Sequence, residues 1–131
     1  MKCYKYEKDK NKYDIIVSYS SIEHSGLGRY GDPIDYDGYK KAIENIHAIL
    51  QDKGRFYFSV PIGPQRIEYN AHRVFSLSYL FEYLSIYFEI EHLSIVDDKG
   101  DFHKQVQITD EVIANNYGCH YGCGIFELIK K

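Results

Sequence analysis

YDIIVSYSSIEHSGLGRYGDP, residues 13–33, is the stretch from which the rest of the chain is read. Residues 13–18 form a short apolar run with β-branched side chains, set between a Lys- and Asn-rich segment and a Ser- and Gly-rich one. That is the pattern of a strand buried on both faces, so the strand is expected inside a sheet. Directly after it come Ser20, Ser21, Glu23, His24, Arg29 and Asp32, interleaved with Gly26, Gly28 and Gly31. A plain connection needs neither this density of polar chemistry nor so permissive a backbone, and the loop is the first candidate site.

Working outward, Asp35 or Asp37 is placed to cap a helix in which Tyr39, Ala42, Ile43, Ile46, Ile49 and Leu50 keep the i, i+3, i+4, i+7 rhythm. Gly54 suits the left-handed position that ends it. Residues 55–60 (RFYFSV) read as a second strand, ended by Pro61, Gly63 and Pro64. Strand, helix, strand over this length is a βαβ unit with parallel strands and a right-handed crossover. Residues 64–73 form a second polar loop holding Gln65, Arg66, Glu68, Asn70, His72 and Arg73. Leu77, Leu80, Phe81 and Leu84 then mark a helix capped by Ser76 or Ser78. A third strand is expected over 88–96, closed by a turn at Asp97, Asp98, Lys99 and Gly100. A short helix over 109–116 with Thr109 as cap and a last strand over 124–129 complete an α/β pattern.

The 131 residues suffice for one domain with its own core, expected to span 1–131. Sixteen Lys and Arg against 19 Asp and Glu leave a formal charge of -3, and only Lys2, Lys5, Lys8, Lys10 and Lys12 cluster. The basic stripe of a nucleic-acid binder is missing. No apolar run reaches the roughly 18 residues of a membrane span, and charged residues stand where a leader peptide needs an apolar stretch. A cytoplasmic place is therefore expected. Three cysteines make no disulfide framework and read as thiols. Cys119, His120 and Cys123, in GCHYGCG, leave only Cys3 to complete four zinc ligands, so a tight turn is expected there and no metal. The glycines at 26, 28 and 31 stand too far from the next helix for a phosphate-binding fingerprint.

SSIEHSGLGRYGDP (20–33), followed by SVPIGPQRIEYNAHR (59–73), resembles DUF268, taken here as a family of uncharacterised bacterial proteins; the resemblance covers about residues 12–131. That family is similar to the C-terminal half of a class I S-adenosylmethionine-dependent methyltransferase. In such enzymes the fourth strand commonly ends in an acidic-then-His turn, as Glu23-His24 does, and the fifth ends in S-V-P, as Ser59-Val60-Pro61 does. The resemblance implies a truncated Rossmann-like methyltransferase sheet, βαβαβ plus a final antiparallel strand, lacking the N-terminal cofactor-binding strands. Neither the Gly-rich turn nor the ribose-holding acid of a cofactor half has a counterpart, and the 12 residues before the first strand are too few for a crossover. S-adenosylmethionine is implied by the resemblance alone, and no cofactor-binding residue follows from it.

In open parallel sheets ligands bind outside the carboxyl ends of the strands, and both polar loops start there. They are expected to face one another. His24, Asp32 and His72 are the expected catalytic residues, a histidine serving as general base and the acid orienting it. Glu23, Arg29, Asn70 and Arg73 are expected to hold an anionic or hydroxylated small molecule. The structural alternative is an Asp32–Arg73 ion pair that locks the loops, with the histidines bonded to backbone carbonyls. Two functions follow: a methyltransferase-like domain in surface-polysaccharide or other small-molecule metabolism, or a non-catalytic assembly module. With its sheet neighbour missing, the first strand would bare Ile15, Ile16 and Val17, so a homodimer is expected.

Overall fold

The structure is a computed structural model and describes residues 12–19, 38–68 and 72–131. In chain order the elements are β1 (Tyr13–Tyr19), α1 (Gly38–Ile49), β2 (Leu50–Ile62), β3 (Arg66–Glu68), β4 (His72–Val74), α2 (Leu77–Tyr87), β5 (Phe88–Val96), β6 (Phe102–His103), α3 (Asp110–Asn115) and β7 (Gly122–Lys130), with a 3-10 turn at Asn116–Gly118 before β7. Five strands make one sheet in the order β1-β2-β7-β5-β6. β1 and β2 pair parallel, β7 lies antiparallel between β2 and β5, and so β1, β2 and β5 run in the same direction. The α/β class and the antiparallel last strand stand as expected.

Both crossovers, β1 to β2 and β2 to β5, step the same way across the sheet, and right-handed connections therefore place α1 and α2 on one face. Their apolar stripes close over a core built row by row. Phe58 pairs with Phe126 and Phe126 with Leu93, while Val60 pairs with Gly124 and Gly124 with Ile95, all of them buried. A side chain at Gly124 would stand 2.9 Å from Ile62, so the glycine lets the core rows close. Each buried aromatic contributes roughly 1.5–3 kcal/mol by leaving water.

α2 begins as expected, with the Ser76 hydroxyl accepting the Tyr79 N–H, and α3 likewise with Thr109 accepting from Val112. Asp35 and Asp37 lie outside the described residues. The end of α1 differs from expectation. The helix stops at Ile49 and Leu50 already pairs with Tyr13; residues 51–54 then bulge before Arg55 meets Ile15. The left-handed residue in this bulge is Lys53 (φ 64), not Gly54. Gly54 serves close packing instead, since a Cβ there would lie 2.7 Å from the Gln51 carbonyl oxygen.

Three further differences matter for the site. β2 runs through Pro61 to Ile62, because both pair with Cys123 and Gly122 of β7, and there the Pro61 carbonyl also accepts the Phe75 N–H while Gly63 N–H donates to the Phe75 carbonyl. The second polar loop folds into the β3–β4 hairpin, with Ile67 opposite Arg73 and Glu68 opposite His72. β1 is not buried on both faces: Tyr13, Ile15 and Val17 are 40%, 55% and 49% exposed. These odd-numbered positions point away from the helices, and β1 is the outer strand of the described sheet.

Candidate functional site

Tyr19 pairs with Ser59 in parallel, and β7 joins Ile62 to Gly122 and Val96 to Cys123. The carboxyl ends of β1, β2 and β5 therefore share one rim of the sheet, where both polar loops start. Of the expected site residues, Glu23, His24, Arg29, Asp32 and Asn70 lie outside the described residues, as does any ion pair between Asp32 and Arg73. His72 is placed by its backbone pairing in β4.

Arg73 sits in strand β4, not in a loop, and is buried at 4% exposure. Its guanidinium carbon lies 4.7 Å from the centre of the Tyr39 ring, a cation–π arrangement strengthened by the loss of water. Tyr39 is fixed in turn: it meets Phe75 edge-on at 5.2 Å, and its hydroxyl and that of Tyr79 are 2.5 Å apart. Tyr39, Gln65, Arg66, Ile67 and Arg73 line an open pocket of about 240 Å³. Strand alternation turns Arg66 and Arg73 to opposite faces of the hairpin. The Arg66 guanidinium accordingly donates to the Pro64 and His120 carbonyls, whereas Arg73 turns to Tyr39.

The N-terminus of α2 faces this rim, and three of its amides are taken. Ser76 N–H donates to Gln65 Oε1, Leu77 N–H to Asn116 Oδ1, and Tyr79 N–H to Ser76 Oγ. Asn116 reaches Leu77 from a left-handed backbone (φ 58), a conformation asparagine tolerates better than most residues.

On the β5 side of the rim, residues read only as a turn carry a polar network. Asp97 Oδ1 accepts from the Lys99 and Asp101 amides, and Asp97 Oδ2 lies 2.8 Å from His103 Nε2. Asp98 accepts the His120 and Tyr121 amides, each at 2.8 Å. The His103 hydrogen bond holds the Asp97 carboxyl below its ordinary value, and the two backbone donors do the same for Asp98. Two aspartates in succession at a strand's carboxyl end were the available sequence signal. Cys119 is a buried thiol pushed up by desolvation, and the Cys123 thiol lies 3.3 Å from the Ser59 hydroxyl. Among the described residues no three His, Cys, Asp or Glu side chains converge as metal ligands.

The fold is shared with solved structures. A Burkholderia thailandensis 1,6-didemethyltoxoflavin-N1-methyltransferase, crystallised with 1,6-didemethyltoxoflavin and S-adenosylhomocysteine, matches at a TM-score of 0.62 and 19% identity, over 93% of this chain and 45% of that one. The [4+2]-cyclase SpnF matches at 0.59 and 16% identity, over 92% and 52%, and the MccD protein at 0.57 and 13%, over 93% and 62%. The chain spans between 45% and 62% of the length of these structures. No curated protein matches its sequence. Sheet order, rim and likeness together define a Rossmann-like α/β fold of the methyltransferase kind. The chain belongs to the DUF268 family, whose model matches residues 2–115 and is described as a Caenorhabditis protein of unknown function, in place of the bacterial family expected from the sequence.

Proposed function

We propose that the chain forms the substrate side of an S-adenosylmethionine-dependent methyltransferase that acts on a small anionic or hydroxylated molecule. The supporting observation is the match of 93% of the chain to part of a methyltransferase crystallised with 1,6-didemethyltoxoflavin and S-adenosylhomocysteine bound. In this reading Arg73, preset on Tyr39, anchors the substrate, with Glu23, Arg29 and Asn70 as further contacts. His24 or His72 acts as general base, with Asp32 orienting it. Sugars of surface-polysaccharide metabolism fall within the substrate class, and the place of action is the cytoplasm; among the described residues no helix is long and apolar enough to cross a membrane.

The described residues do not themselves fit the cofactor. None of their strands opens into a glycine-rich turn at a helix N-terminus, and three amides at the start of α2, those of Ser76, Leu77 and Tyr79, are already bonded to Gln65, Asn116 and Ser76. No step is therefore routed through it. Calorimetric titration with S-adenosylmethionine and S-adenosylhomocysteine tests how far the reading goes: micromolar binding supports it and removes the non-catalytic alternative, and a well-folded sample that binds neither removes an autonomous methyltransferase.

A second reading, a non-catalytic assembly module, is favoured by one observation, the exposed apolar row Tyr13, Ile15 and Val17 on the outer strand. A homodimer that hides this row is its expected form.

A further inference from the structure

One peptide group stands between an acid and a guanidinium. The Tyr121 N–H donates to Asp98 Oδ1, and the His120 carbonyl of that same peptide unit accepts from Arg66 Nη2 at 3.1 Å. The peptide dipole is thus aligned with its positive end on the carboxylate and its negative end on the cation, the arrangement in which hydrogen bonds in series strengthen one another. A second bond from the His120 N–H to Asp98 Oδ2 prevents the unit from rotating.

Two independent features hold the other end. Gly63 leaves room for the His120 carbonyl, because a Cβ there would stand 2.1 Å from that oxygen. The same Arg66 guanidinium also bonds Pro64, tying the exit of β2 to the turn before β7. Arg66 is followed by Ile67, which pairs with Arg73 across the hairpin, and all three line the pocket.

We propose that Asp98 is a positioning residue for the pocket, acting through the 120–121 peptide and Arg66 to set the β3 wall that faces Arg73. This rests on the reading of that pocket as the ligand site. Asp98 itself sits on the far side of β7, at the end of β5, and belongs to no part of the pocket lining described above. The groups that face it are Asp97 on its own turn, and Cys119, His120 and Tyr121 from the facing turn. The carboxylate, rather than a neutral amide of the same shape, is what the two N–H donors and the distant guanidinium together select.

The test needs no ligand, so its failure and that of the methyltransferase reading are distinguishable. In the Asp98→Asn variant, NMR is expected to show the Arg66 Nε–Hε resonance displaced and hydrogen exchange at the Ile67 and Arg73 amides faster by roughly tenfold, the loss of one hydrogen bond to a charged group. Asp101→Asn, on the same turn, should leave those signals unmoved. Changes confined to 96–103 and 117–123 would overturn the proposal, as would equal acceleration at every amide, which marks a merely structural role. Should Asp98→Asn fail to fold, Arg66→Gln gives the reciprocal reading: a displaced Tyr121 amide supports the relay, and an unmoved one ends it.

Discussion

The Arg73 guanidinium lies 4.7 Å from the centre of the Tyr39 ring, joining the β3–β4 hairpin to the first turn of α1 across 34 residues of chain. With Arg73 almost wholly buried, the ring face replaces part of the water that the cation gave up. A double-mutant cycle of Arg73→Met and Tyr39→Leu, followed by urea unfolding, should return a coupling of about 1–2 kcal/mol. Additive losses would show that ring and cation are only neighbours.

Gly63 and Gly100 separate two reasons for glycine. At Gly63 a methyl group would enter the His120 backbone, and Gly63→Ala should cost about 1–3 kcal/mol and displace the 120–121 peptide. At Gly100, with φ +87 and nothing within 4 Å, the cost of alanine is backbone strain alone, about 1–2 kcal/mol. Thermal melts give both losses, and only Gly63→Ala should move the Arg66 Nε–Hε resonance. The same displacement in Gly100→Ala would contradict the steric assignment.

Acid should lower the stability of the protein in two windows. His47, tilted against Tyr87 and edge-on to Phe88, is lowered from 6.5 first by burial and then by Lys130, so the unfolded chain takes up its proton first. Its contribution is present above 6.5 and is lost as pH falls through the lower folded value. Asp97 and Asp98 are held below 3.8, so theirs is present above that value and is lost only at stronger acidity. Stability against pH should lose its first descent in His47→Phe and flatten in its second in Asp97→Asn. An unchanged first descent in His47→Phe would assign it to another group.

The exposed row on β1 is expected to make the protein a dimer at micromolar concentration. Replacing Ile15 and Val17 by threonine keeps β propensity while removing apolar surface, and should return a monomer in light scattering. A wild-type monomer throughout that range would refute the association.

Much of the fold was legible because its signals are local. Strand β5 takes the bounds expected for it, and α2 and α3 start at the hydroxyl caps Ser76 and Thr109, since a cap needs only an N–H three residues on. The end of α1 was misplaced for a related reason. Glycine's permissiveness marks Gly54 as a stop, but the helix yields to a pairing of Leu50 with Tyr13, far away in sequence, and Lys53 takes the left-handed turn. The candidate site was legible only as a location, the carboxyl rim, and in Arg73 as a residue of note.

By itself, then, the sequence determined the α/β class, the succession of the three helices and of the longer strands, and the rim from which the polar segments spring, because periodicity, caps and turn residues act within a few positions of one another. Tertiary structure alone decided that β7 inserts between β2 and β5, that Arg73 is buried on Tyr39, and that the 120–121 peptide bridges Asp98 to Arg66. Each of these joins groups separated by 22 to 54 residues or more, as from Asp98 to His120 and from Arg66 to His120. Their partners are chosen by which apolar rows can close over one core, and no local pattern carries that choice.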